Sequence, residues 1–223
     1  MPSNIHYSRV SDLPDVLPLF PLPGALLLPR GQMPLNIFEP RYLSMIDAAL
    51  ADSRLIGMIQ PDPARTTDIA LPPLYGTGCA GRITQLAETG DGRYLVQLTG
   101  IARFRLVEEI PAGTLFRQAR ADFEPFAADL EARRGEDAVD RDEVLAALRA
   151  FSEVHGIEID WKSIDEAANE ALVNALSMMA PFGVAEKQAL LEARDLKARA
   201  DMLVALTEME LAREGEGNGP AMQ

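Results

Sequence analysis

Between Leu17 and Ile46 the chain reads LPLFPLPGALLLPRGQMPLNIFEPRYLSMI, and its prolines restrict what it can become. Pro18, Pro21, Pro23 and Pro29 have no backbone N–H to give to a ladder. The pattern excludes a helix and predicts short extended pieces at a sheet edge, turned at Pro23-Gly24, rather than a central strand. Pro40 is a favourable first helical residue, and Tyr42, Leu43, Ile46 and Leu50 come after it at helical spacing.

From Val16 to about Phe123 the chain reads as short strands separated by Gly and Pro. Leu55–Gln60 is an apolar run, and Gly78–Glu88 leads into the hairpin turn Thr89-Gly90-Asp91-Gly92. Tyr94, Val96 and Leu98 alternate with Arg93, Leu95 and Gln97, as in a strand with two unlike faces. Gly100 is expected to break that run before Ala102–Val107, and Phe116–Phe123 forms a last strand. Residues 1–12 are polar and expected to be loosely held.

Glu124–Asp142 is rich in Asp, Glu, Ala and Arg, with few large apolar residues, and reads as a mobile acidic segment open to cleavage after Arg133 or Arg134. Beyond it the period becomes helical. Asp140 and Glu143 cap one helix, and Ser163 with Glu166 forms a capping box for another that ends at Pro181. A third helical region carries Leu190, Leu196, Leu203 and Leu206. The expected division is a β-rich domain over 13–125, a linker over 126–142, a helical bundle over 143–213 and a disordered tail over 214–223.

Two blocks of residues carry a family resemblance. The first is Leu19-Phe20-Pro21-Leu22, Leu28-Pro29, Pro34-Leu35 and Ile37-Phe38-Glu39-Pro40-Arg41-Tyr42. The second is Trp161-Lys162, Ala180-Pro181-Phe182 and Glu186–Glu192. Together they resemble the N-terminal substrate-recognition domain of Lon-type ATP-dependent proteases, over residues 17–210, and especially bacterial proteins made of that domain alone. The resemblance implies an α+β fold, a PUA-like β pseudo-barrel followed by a C-terminal helical bundle. It also implies recognition of unfolded or apolar polypeptide segments, with a protease or chaperone system as a further partner.

The inventory of reactive residues points away from catalysis. Gly76-Thr-Gly78-Cys-Ala-Gly81 spells GxGxxG, but Arg82-Ile83-Thr84-Gln85-Leu86 directly after it reads as a strand, whereas a dinucleotide site needs a helix N-terminus there. A phosphate-binding loop needs Gly-Lys, and none of the three lysines comes after a glycine. Ser163 beside Lys162 reads as a helix cap rather than an activated nucleophile. The lone Cys79 reads as a small buried residue in a reducing compartment. Two histidines and one cysteine offer no metal-ligand spacing. No enzyme activity, cofactor or metal is expected.

Charge narrows the partners. Residues 1–125 carry 11 arginines, no lysine and 13 acidic residues, whereas residues 126–223 carry 10 basic and 21 acidic residues; −2 and −11 give the net −13. Neither half attracts a polyanion, which argues against DNA and RNA. The apolar run Leu17–Pro29 is too short and too broken by proline to span a bilayer, so a cytoplasmic protein with no membrane partner is expected. Arg103 and Arg105 share a strand face near Arg82, Arg117 and Arg120. That face is either paired with local carboxylates, the favoured reading, or is a small-molecule or RNA-binding surface. In Phe38–Tyr42, Phe38 and Pro40 read as scaffold, while Glu39, Arg41 and Tyr42 are candidates for a groove that grips apolar peptide.

Overall fold

A computed structural model describes residues 5–65 and 71–217. It divides into two units, one of Met1–Ala132 with Pro181–Leu191 and one of Arg133–Ala180 with Glu192–Gln223. The first is a mixed sheet with its helices and the second is helical, so the fold is α+β. The division runs through the expected linker, and Pro181–Leu191, expected in the bundle, belongs with the sheet.

The first unit holds six strands: β1 (Val16–Pro21), β2 (Gln32–Ile37), β3 (Leu55–Ile59), β4 (Thr77–Glu88), β5 (Tyr94–Ile110) and β6 (Gln118–Asp122). They lie in the order β2-β5-β4-β3-β1-β6, and β6 also pairs with β5. The pairings therefore come round on themselves, giving a partial ring rather than a full barrel, with β2 attached outside it. Helix α1 (Pro40–Ala51) starts at its proline and buries Tyr42, Met45, Ile46 and Ala49.

Two expectations fail here for stated reasons. The proline-rich β1 is not an edge, because it pairs with β6 along Val16–Pro18 and in parallel with β3 along Leu19–Pro21. Each half-ladder is only three residues long and ends on a proline, so the missing N–H groups fall where one ladder gives way to the next, at Pro18, and at the strand's end, at Pro21. Nor does Gly100 break β5, which runs through it. Leu26, Leu27 and Leu28 form a buried coil against the sheet. Arg30 then turns through a left-handed φ of 64° and donates its N–H to the Gly100 carbonyl at 2.7 Å. A Cβ on Gly100 would stand 2.0 Å from the Leu28 carbonyl oxygen, so the glycine lets two backbones touch.

The core of this unit joins Leu17, Leu19, Leu55, Ala80, Ala102, Phe104 and Phe123. Tyr7 and Leu13 belong to the same cluster, and the Tyr7 hydroxyl accepts from Arg82 Nη1 at 2.8 Å. Residues 7–13 are thus packed, contrary to the loose N-terminus expected; residues 1–4 of that stretch lie outside the described residues. Helix α5, the fifth in the chain at Val184–Glu192, is held by polar groups: Gln60 Nε2 donates to the Val184 carbonyl and to Gln188 Oε1, both at 3.1 Å, and Gln188 Nε2 donates to the Thr77 carbonyl.

The second unit contains α2 (Arg141–His155), α3 (Trp161–Glu166), α4 (Asn169–Met179) and α6 (Leu196–Gly217). Asp140 caps α2 by accepting from the Glu143 N–H at 3.1 Å, and Gly156 ends it with φ 64°. Ser163 is not a cap: Asp160 caps α3, and the Ser163 hydroxyl bonds to Asp160 at 2.5 Å. The helix expected to run on to Pro181 is broken at the extended Ala167 and Ala168. The start of α4 is capped from elsewhere, by Glu136 Oε1 accepting from the Glu170 N–H at 3.0 Å. Helix α6 continues to Gly217, past the expected end at 213; the rest of the expected tail, 218–223, lies outside the described residues.

Candidate functional site

Strand β2 has one neighbour, whereas every other named strand has at least two and β5 has three. Its outer edge therefore carries main-chain groups that no strand of the sheet satisfies, and Pro34 within it blunts that edge. Burial along β2 alternates, with Gln32, Pro34 and Asn36 exposed and Ile37 buried. Cross-strand register extends the exposed row over the sheet: Asn36 pairs with Leu95 and Leu95 with Ala87, while Pro34 pairs with Gln97 and Gln97 with Gln85. None of these six residues is charged.

Two apolar side chains stand out on it. Leu95 is 49% exposed, and Phe38, next on the same side of β2 after Asn36, is 60% exposed. The Arg93 guanidinium lies 5.9 Å from the Phe38 ring centroid and pairs with Asp91 at 3.3 Å. Phe38, read from the sequence as scaffold, is therefore an exposed ring. The alternation of β2 carries it to the outer face before α1 begins.

The neighbouring candidates separate. Tyr42 is buried, its ring 4.3 Å from that of Phe20, and burial, outweighing the nearby Arg41 charge, raises its hydroxyl pKa. Arg41 and Glu39 are half exposed and bond to each other, Nε to Oε2 at 2.9 Å. The Arg41 guanidinium also lies 4.5 Å from the Tyr42 ring centroid. Tyr42 thus braces the start of α1 from within, while Glu39 and Arg41 form a neutralised pair at the surface.

The arginine face is occupied by partners from this chain. Arg103 is buried on Asp129, Arg105 pairs with Asp122, and Arg117 is bidentate on Glu109. Arg120 reaches Glu108 at 3.2 Å, and Arg82 donates to Tyr7 and to the Ser53 carbonyl. Arg103 and Arg105 share a side of β5, yet one is covered by the turn at Glu124–Leu130 and the other is open. Cys79 is buried in β4, and Gly78 and Gly81 of the GxGxxG stretch lie in the same strand.

Leu95 and the polar row around it carry no signal of their own in the sequence. The alternation of β5 is legible there, but which of its two faces turns outward depends on pairing with β2 and β4. No described helix is long and apolar enough to cross a membrane.

A family model described as the ATP-dependent protease La (LON) substrate-binding domain matches residues 16–208. Lon protease 2 of Myxococcus xanthus is 28% identical over 204 residues, covering 87% of this chain and 24% of that protein. The Lon protease of Parabacteroides distasonis is 31% identical over 199 residues, covering 88% of this chain and 24% of its own length. The chain thus spans about a quarter of these relatives. Among solved structures, the N-terminal domain of a Mycobacterium avium complex Lon protease superposes with a TM-score of 0.64 at 20% identity, covering 86% of this chain and 98% of that one. A Lon N-terminal domain protein from Xanthomonas campestris gives 0.60 at 20% identity, covering 85% and 97%.

Proposed function

This chain belongs to the Lon substrate-binding domain family, and from that membership we propose that it is a polypeptide-recognition module with no catalytic machinery of its own. The observation that carries the proposal is the uncharged cross-strand row over β2, β5 and β4, with Phe38 and Leu95 exposed beside a free strand edge. An extended, unfolded segment can lie along such an edge, its main chain bonding to β2 and its apolar side chains covering Phe38 and Leu95. Asn36, Gln85 and Gln97 offer amides that accept or donate without imposing a charge on the client. Glu39 and Arg41, already paired, mark the rim. A single buried thiol agrees with a cytosolic setting, and a protease or chaperone system is the natural receiver of what the module holds.

A titration tests this. Reduced, carboxymethylated polypeptide and a structureless RNA of equal length are each titrated against the full chain at low and at physiological salt. The module binds the polypeptide at micromolar order or weaker, as small transient interfaces do, with little change across the two salts. Binding of RNA alone, with a steep salt slope from counterion release, overturns the proposal in favour of a nucleic-acid module. ATP hydrolysis or cleavage of casein that survives purification overturns its non-catalytic part.

A further inference from the structure

In the helical unit, Ala146, Ala147 and Ala150 of α2 lie beside Val204, Ala205 and Leu211 of α6 and line an open trough of about 470 Å³. We propose that this trough is a docking site for a basic amphipathic helix of a partner protein, a contact separate from the recognition face on the sheet.

The shape comes from side-chain length. Three alanines at helical spacing end at Cβ, so the two helices meet below the surface and leave a furrow where longer residues would close it. Leucine-sized side chains of a third helix fit such a furrow as ridges fit grooves. The lining residues of α6 run from Asp201 to Leu211, about 15 Å at 1.5 Å per residue, which matches roughly three turns of a partner.

The charge at the rim selects the partner. Glu143 from α2, with Asp201 and Glu208 from α6, also line the trough. Lys197 is held on Asp201 at 2.6 Å, and its ammonium is stabilised by that hydrogen bond first and by Glu143 and Asp195 as well. The other arginines of these helices turn elsewhere: Arg141 donates to the Ala167 carbonyl and to Asn169 Oδ1, the Arg149 guanidinium lies 5.0 Å from the Trp161 ring centroid, Arg199 is buried on Asn174 Oδ1, and Arg213 pairs with Glu210. Carboxylates thus outnumber ammonium groups at the rim, and lysines or arginines flanking the apolar stripe of a partner helix complement it. A second copy of this chain does not, because residues 126–223 hold 21 acidic against 10 basic residues and the like faces repel. A nucleic acid is repelled for the same reason.

The probe is a synthetic helix of about 14 residues with leucines at i, i+3, i+4 and i+7 and lysines elsewhere, fluorescently labelled, beside a leucine–glutamate counterpart. Titrated into the full chain, the leucine–lysine helix saturates at one per chain and the leucine–glutamate helix does not bind. Ala146→Phe fills the trough and Glu208→Lys reverses its rim, and each weakens binding by about tenfold or more. Both positions are exposed, so the far-ultraviolet circular dichroism and thermal midpoint stay at the parent values. Equal binding to parent and variants, or no binding to the parent, overturns the proposal. A dimer of the parent that Ala146→Phe disperses overturns it in favour of self-association.

Discussion

Arg103 grips Asp129 through two parallel bonds of 2.8 Å, Nε to Oδ2 and Nη2 to Oδ1, with both side chains almost wholly buried. The same carboxylate accepts from the Arg103 N–H at 3.0 Å, and Arg30 Nη1 holds the Asp129 carbonyl at 2.6 Å. Arg103 also donates to the Leu191 carbonyl at 3.0 Å and stacks 4.7 Å from the Phe126 ring centroid. One guanidinium therefore fastens both the turn that leaves the sheet unit and the helix that returns to it. The acidic stretch read as a mobile linker is fixed here by charge and hydrogen bonds, with Leu130 packed against the core beside them.

Removing one partner of this pair leaves the other charge buried and unmatched. Arg103→Ala is expected to cost about 3–5 kcal/mol of stability in urea unfolding. Arg103→Lys cannot make two parallel bonds and recovers little. The double variant Arg103→Met/Asp129→Leu lies closer to the parent than either single change, because no charge is stranded. A single variant within about 0.5 kcal/mol of the parent would refute the structural role of the pair.

The three glycines of the GxGxxG stretch differ in what a Cβ would meet. On Gly78 it would stand 2.5 Å from the Phe104 ring and 2.6 Å from the Met58 carbonyl oxygen; on Gly76 nothing lies within 4 Å. Gly78→Ala should lower the thermal midpoint sharply, and Gly76→Ala should leave it nearly unchanged. A nucleotide-binding loop would instead show loss of ligand stabilisation in both, so thermal shift with and without dinucleotide separates the two readings.

Glu136 makes the helical unit sensitive to acid. Its burial favours the neutral form, but the Glu170 N–H and the Arg133 guanidinium, at 3.0 and 2.7 Å, outweigh that and hold its pKa below the ordinary 4.5. The carboxylate therefore contributes stability that is present above that ordinary value and lost as pH falls through the lowered one. Helical circular dichroism during denaturation should weaken with acidification in that window. Glu136→Gln should be less stable at neutral pH and should lose less on acidification; a parallel pH dependence in parent and variant would exclude Glu136 as its source.

Local signals survived into the structure where they answer to nearest neighbours. Pro40 starts α1, Asp140 caps α2 and the Thr89–Gly92 turn joins β4 to β5. What the sequence could not display were arrangements made by distant partners. The cap of α4 comes from Glu136, more than thirty residues before it, so Ser163 looked like the nearest candidate. The prolines of β1 looked like edge residues because a strand that changes neighbours midway has no local signature. Phe38 looked like scaffold because its apolarity was visible and its face was not.

Trypsin offers a direct check on the fastened segment. The Arg133 N–H donates to Glu170 Oε2 at 2.8 Å, and its left-handed φ of 65° is held by the surrounding turns. Limited digestion should show no early cut after Arg133, since a protease needs several residues of extended, mobile backbone. Rapid cleavage there under native conditions would restore the mobile linker.

The last expectation separates a binding surface from the scaffold beneath it. Phe38 is 60% exposed, so Phe38→Ser should change stability by no more than about 0.5 kcal/mol. Its ring and the Leu95 side chain are the large apolar contacts there, so Phe38→Ser and Leu95→Ser should each weaken binding of unfolded polypeptide by about tenfold. Tyr42→Ala acts differently, because it empties a buried site against Phe20 and should cost about 3–5 kcal/mol before any binding is measured. Arg41→Ala removes a half-exposed charge already paired with Glu39, and such rim groups carry little energy, so binding should stay within about twofold of the parent. If folded Arg41→Ala loses binding while Phe38→Ser keeps it, the client rests on the start of α1 and not on the sheet.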